Sequence, residues 1–359
     1  MSILVDKIKY INKVVREKTS ADMFLFGSTL RQMLLNGELP TPVEVVVLDT
    51  SDNARSITCP GVNFIFSTFL DYSHELYTLD NIYVKIPDNF DGTIEVQSTN
   101  NGLVDFNKNI IKLTKSGKHK VTEDPRFLLD TIILTAENKF TLDSTTTHLF
   151  LKNRHILKNY STREVYSFFK NIVKYNHPRK IISLLNTLGV SKELFDTTLY
   201  ETSVINHLRE SDYYEFFWVI FSNINTDNLN TVLGNNGFSP KDVQIIKNIT
   251  SAISSISGED ADDARKIIKL INGYRVPNMI KLLNAMKFKK LAANVKLQKD
   301  CVISIDQLCI TEDTIKAAFK INNDTEIKKL LEKALNKVIS DPEYNDTSRI
   351  LSYLNTERI

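Results

Sequence analysis

Residues 25–50 read LFGSTLRQMLLNGELPTPVEVVVLDT. The run MFLF (23–26) is short and apolar, as a buried strand is. Gly27 and Ser28 then allow a tight turn and a close approach of the backbone to a ligand. From Thr29 the apolar residues recur at helical spacing, and Gly37 ends the run. VEVVVLD (43–49) follows as a second strand. A helix that starts at such a turn aims its free N–H groups at an anion. Arg31, in the first turns, would add a charge-assisted contact. Gly27, Ser28 and Arg31 are therefore candidate contacts to a nucleotide's phosphates; a plain strand, turn and helix with a surface arginine is the competing reading.

The rest of the composition narrows the class. A chain of 359 residues has room for two or three domains with sizeable cores. It is 42% hydrophobic and 25% charged, ordinary for a globular protein. A net charge of +2 does not by itself force a nucleic-acid partner, so any such patch must be local. Cys59, Cys301 and Cys309 are far apart and odd in number, which points to reduced thiols and a cytoplasmic protein without a disulfide or zinc framework. The six histidines form no metal spacing. No apolar run reaches the ~18 residues of a membrane span, and MSILVDKIKYINKVVREK reads as an amphipathic helix, not a signal peptide. The abundance of Lys, Asn and Ile fits a low-GC bacterium or a phage-infected host.

The pattern changes near residue 122. Before it, β-rich runs alternate with turns: 23–26, 43–49, 62–66, 81–86, 93–97 and a pair around Gly102–Leu113, with helices near 2–18 and 28–36. After it, apolar residues recur at i, i+3 and i+4 almost throughout. No fixed-period repeat is present. GEDADD (258–263) is a short acidic loop and a plausible boundary within the helical part.

GSTLRQMLLNG followed by a strand resembles the head of class II tRNA nucleotidyltransferases and bacterial poly(A) polymerases. Further partial matches follow in the same order: HELYTLDNIYV (74–84), NGLVDFNKNIIKL (101–113), VTEDPRFLLDTIILTAENKFTLDSTTTHLF (121–150) and STREVYSFFKNIVKYNHPRKIISLLNTLGVSKELF (161–195). The resemblance implies an α+β protein: a nucleotidyltransferase-like, polymerase β-type mixed-sheet head over 1–120, a helical neck over 121–200, and a helical body and tail over 201–359. It also implies nucleotide addition to RNA 3′ ends with CTP or ATP, tRNA being the expected substrate and Mg²⁺ the cofactor. Glu44 would hold the metal, Gly27, Ser28 and Arg31 the triphosphate, and Asp124 would stand near the base.

The departures bear on the chemistry. Metal-dependent nucleotidyl transfer uses two carboxylates at i and i+2 of one strand, because alternate residues share a face. Here Glu44 stands alone, as Pro42-x-Glu44 or Glu44-x-Val46, and Asp49 points the other way. One glutamate holds a hard cation loosely; Glu95, in the run TIEVQ, is a candidate second acid from a neighbouring strand. Gln32 replaces the aspartate that follows the family's arginine, and His74, Glu75 and Leu76 replace two arginines and an aspartate. Glu123 and Asp124 match the family's base-reading helix, but Phe127 replaces its arginine and Asp130 another. A phenylalanine could stack on a base but not read its edge. Fold residues kept and chemistry residues changed suggest weak or lost transfer, a pseudoenzyme; relocated ligands are the alternative.

A separate signal lies in the tail. Residues 265–299 hold Arg265, Lys266, Lys269, Arg275, Lys281, Lys287, Lys289, Lys290, Lys296 and Lys299, and no Asp or Glu. Basic helices track phosphate backbones, so Lys281, Lys287, Lys289, Lys290 and Lys296 are candidate RNA contacts, with Tyr274 and Phe288 as candidate stacking rings. A solvated helix face is the plainer reading. Three functions remain: nucleotide addition to RNA 3′ ends, a catalytically silent scaffold for tRNA or a protein partner, and a structural component of a larger assembly such as a phage particle. None involves a membrane.

Overall fold

The computed structural model describes residues 2–70, 75–271, 275–299, 301, 302 and 304–356. His74 and Tyr274 lie outside these. The chain forms two units, residues 1–160 with 184–194 and residues 161–183 with 195–359.

The first unit begins with helix α1 (Ser2–Arg16), strand β1 (Met23–Phe26), helix α2 (Gly27–Asn36) and strand β2 (Val43–Val47). Helix α3 (Asp52–Arg55), strand β3 (Val62–Phe66), strand β4 (Ile82–Ile86) and strand β5 (Gln97–Ser98) complete a five-stranded sheet of order β3-β2-β1-β4-β5. β2 and β3 are parallel, and the other pairs are antiparallel. Alternation divides the residues between two faces. Met23, Leu25, Val43, Val45, Val47, Ile82, Val84 and Ile86 form one core with Ile8, Ile11 and Val15, the i, i+3, i+7 stripe of α1. Burying each such side chain contributes ~1.5–3 kcal/mol, which is what keeps a mixed sheet of short strands assembled. The opposite face carries Phe24, Glu44, Val46, Asn63, Ile65, Tyr83 and Lys85, and this is the face on which any chemistry of β2 must occur.

Two expectations are corrected here. The strand expected over 93–97 contributes only Gln97 to a ladder, which runs to Ser98. The strand pair expected around Gly102–Leu113 is helix α4 (Gly102–Asn107) and a two-residue strand β6 (Ile110–Ile111), parallel to β7 (Thr141–Leu142). Asn100 and Asn101 both take positive φ, 50° and 63°, and this left-handed turn starts a helix where β-branched residues suggested a strand. Helices α5 (Lys115–Glu123), α6 (Pro125–Glu137) and α7 (Ser144–Asn153) follow.

The chain then passes through α8 (Thr162–Asn171), α9 (Pro178–Thr187) and α10 (Val190–Phe195). The second unit continues as α11 (Tyr213–Ile220), α12 (Thr226–Gly234), α13 (Pro240–Ser254), α14 (Ala261–Leu270), α15 (Val276–Ala285), α16 (Lys289–Leu297), α17 (Glu312–Phe319), α18 (Asp324–Ser340) and α19 (Thr347–Thr356). Ser161 with Glu164 and Ser239 with Asp242 form capping boxes at α8 and α13. No helix among the described residues is long and apolar enough to cross a membrane.

Candidate functional site

The turn after β1 is built as its sequence requires. Phe26 ends the strand in extended backbone, and Gly27 opens α2 at φ +60°, a region glycine enters without strain. A second reason for glycine comes from space: a Cβ on Gly27 would lie 2.6 Å from Glu75 Oε1. No side chain of Phe26 caps the helix. Thr29 Oγ1 accepts the Glu44 N–H at 3.3 Å and so ties the first turn of α2 to β2.

Arg31, expected at a triphosphate, is committed inside the protein. It is 7% exposed, and its Nη1 donates to both carboxylate oxygens of Asp80 at 2.5 Å. Its guanidinium lies 5.9 Å from the centre of the Tyr77 ring. Burial raises the Asp80 carboxyl above the usual range, and Arg31 beside it pulls it back down. Charges this far from water must be paired, so Arg31 serves as the counter-ion of Asp80. Its Nε is buried without a partner among the described residues.

Glu75 stands against the turn. Burial pushes its carboxyl up to about 8, with Asp80 and Glu44 pushing the same way and Arg31 opposing. Nothing in the sequence pointed to this placement. The replacement of an arginine by Glu75 was visible, but its position over Gly27, 48 residues earlier, is not a local property.

Glu44 is exposed on the outer sheet face and pairs in register with Asn63. The residue two places on, Val46, is apolar and 6% exposed. Glu95 lies outside the ladder that β5 forms, and β5 is separated from β2 by β1 and β4. Among the described residues no three His, Cys, Asp or Glu side chains are grouped to hold a metal ion. Val46, two places along the strand from Glu44, offers a cation no oxygen, so on this strand face Glu44 would have to hold a divalent ion without the second acid that the resemblance implies.

Asp124 caps α6: its side chain accepts the Arg126 N–H at 2.9 Å and pairs with Lys120 at 3.1 Å. Phe127, considered as a base-stacking ring, is 5% exposed and stacks on Tyr77 with ring centres 5.5 Å apart. It is core, not a free platform. Arg126 faces away and pairs with Asp130 at 3.5 Å.

The basic run of the second unit divides into two sets. Arg265 donates to the carbonyls of Ile339 and Ser340, Lys266 pairs with Asp262 at 2.5 Å, and Lys269 donates to Asn336. Arg275 holds Glu215 and Lys281 reaches Asp212 at 3.1 Å, both acids being 0% exposed. Lys281 is thus part of an internal ion pair, not a free cation. Lys287, Lys289, Lys290, Lys296 and Lys299 are exposed, and none has an ion-pair partner among the described residues. Phe288 is half-buried between them.

Solved structures with the same arrangement bound this reading. A Thermotoga maritima CCA-adding enzyme complexed with tRNA superposes with a TM-score of 0.63 at 15% identity, over 100% of this chain and 98% of that one. The Bacillus stearothermophilus CCA-adding enzyme in complex with CTP gives 0.63 at 13% identity, over 100% and 98%. A CCA-adding enzyme in complex with ATP gives 0.64 at 14%, over 99% and 96%. The chain has the class II tRNA nucleotidyltransferase-like fold. No family model and no curated protein sequence matches it. At such low identity the likeness carries the fold, while the chemistry must be judged from the residues present.

Proposed function

We propose that this protein binds RNA, tRNA being the expected class, through residues 287–299, on a nucleotidyltransferase-like scaffold whose head has weak or lost nucleotidyl transfer. Head, neck and body with tail are taken as 1–120, 121–200 and 201–359. The observation that carries the reading is the set of five exposed lysines, without ion-pair partners among the described residues, in a stretch devoid of acids. The other basic residues of the run are engaged by neighbouring groups of the chain, whereas these five have no ion-pair partner among the described residues and face solvent, where phosphates could meet them.

The loss of transfer is supported by the head. Glu44 lacks an acidic partner on its strand face, Arg31 is held by Asp80, and Phe127 is buried on Tyr77. Were transfer retained, Glu44 would have to hold Mg²⁺, with Gly27, Ser28 and Arg31 at the triphosphate of CTP or ATP and Asp124 near the base.

Filter binding of tRNA at two salt concentrations tests the binding. A steep salt slope is expected, and reversal of charge at Lys287, Lys289 and Lys290 should flatten it by about one unit per lost phosphate contact. Unchanged affinity in that variant removes the patch from consideration. Incubation with labelled CTP or ATP, Mg²⁺ and tRNA lacking its 3′ end tests the head. Incorporation abolished by Glu44→Gln would restore the enzyme reading.

A further inference from the structure

The Gly27 turn is filled from within. From the position of a Cβ on Gly27, Glu75 Oε1 is 2.6 Å away, Cδ 3.2 Å and Oε2 3.4 Å. That is the space a glycine leaves for the close approach of a ligand. The placement of Glu75 is anchored from its own carbonyl onward. Its carbonyl accepts the Thr114 hydroxyl at 2.5 Å, and the Leu76 carbonyl accepts the Thr114 N–H at 3.1 Å. Tyr77 bridges to Leu113, and the Thr78 N–H donates to the Lys112 carbonyl at 2.8 Å. Gly117 packs so closely that a Cβ there would meet the Leu76 carbonyl at 2.0 Å. The segment 75–78 is thus held against 112–117, and the Glu75 side chain is directed at the turn.

The charges around it oppose an anion. Arg31 on α2, Asp80 after the Tyr77 bridge and Glu44 on β2 are the charged groups that act on Glu75. The one cation among them already holds Asp80. A phosphate at Gly27 would have to displace the Glu75 carboxyl, whose own ionisation Asp80 and Glu44 already oppose.

We propose that Glu75 is a specificity-determining residue that closes the Gly27 turn to phosphate: its carboxyl occupies the place a ligand's phosphate would take. This deepens the reading of the head as a scaffold without transfer and rests on it. Titration calorimetry of the full chain with inorganic triphosphate tests it. Wild type and Glu75→Gln, which keeps the shape of the side chain, should bind weakly, and Glu75→Ala should bind at least about tenfold more tightly. Glu75→Ser serves if the alanine variant fails to fold, folding being checked by thermal melting. The proposal is overturned if wild type binds triphosphate as tightly as the truncated variant. It is overturned equally if a folded truncated variant gains nothing, or if Glu75→Gln gains as much. Retention of tRNA by the lysines of 287–299 is measured on the same samples. Its loss would sink the RNA-binding reading and leave the closure of the turn standing.

Discussion

Replacing Arg31 by methionine separates a structural arginine from a phosphate ligand. The Arg31 Nη1 to Asp80 distance is 2.5 Å, and the two residues are 7% and 2% exposed. At an effective dielectric of about 20, two unit charges so placed attract by roughly 7 kcal/mol, most of which offsets their desolvation. Removing one partner leaves the other charge buried alone, and the expected cost is ~3–5 kcal/mol. Replacing both, as Arg31→Met with Asp80→Leu, should recover most of that loss. Hydrogen exchange of β1, β4 and α2 is the appropriate readout, because the chain's single tryptophan, Trp218, lies on α11 of the second unit and is blind to the head. Amides that open with the head should exchange about two to four orders of magnitude faster in Arg31→Met, and close to wild-type rates in the double variant. Unchanged exchange in the single variant, with a loss of triphosphate affinity, would refute the assignment and make Arg31 a ligand contact.

Other outcomes follow from the same contacts. Phe127→Ala should cost ~3–5 kcal/mol in chemical denaturation of the head, since the ring is 5% exposed on Tyr77; a ring reserved for a base would leave stability unchanged. Glu75 gives a pH signature: its carboxyl titrates at about 8 when folded, against 4.5 ordinarily. Folding takes up a proton between those values, so its contribution is full below pH 4.5, is lost as pH rises toward 8, and is flat beyond. The melting temperature of wild type should fall relative to Glu75→Gln across that window, and parallel curves would contradict the burial of Glu75. Lys281→Met should destabilise the second unit by ~1–3 kcal/mol, because it withdraws a charge-assisted bond from Asp212, which is 0% exposed. Lys287→Met should leave stability within ~0.5 kcal/mol of wild type and weaken tRNA binding in filter assays.

Much of the scaffold could be read along the chain because its determinants are local. The strands at 23–26, 43–47 and 62–66 and the helix after Gly27 all follow from period and turn chemistry within a few positions of each other. That Val46 shares the outer face with Glu44 was legible for the same reason, since strand alternation alone assigns it there. One misreading was local in origin: Asn100 and Asn101 in the left-handed region turned a β-rich stretch into α4. Another was not: the strand expected to carry Glu95 shrinks to Gln97–Ser98 and lies three places from β2 in the sheet. What no reading of the chain could supply is pairing across distance. Arg31 and Asp80 are 49 residues apart, Arg275 and Glu215 are 60 apart, and Glu75 meets Gly27 through a turn anchored at Thr114. Periodicity fixes which way a side chain faces on its own element. Whether a charge facing that way finds solvent, a ligand or a buried counter-ion depends on what packs opposite, and that is a property of the folded chain alone.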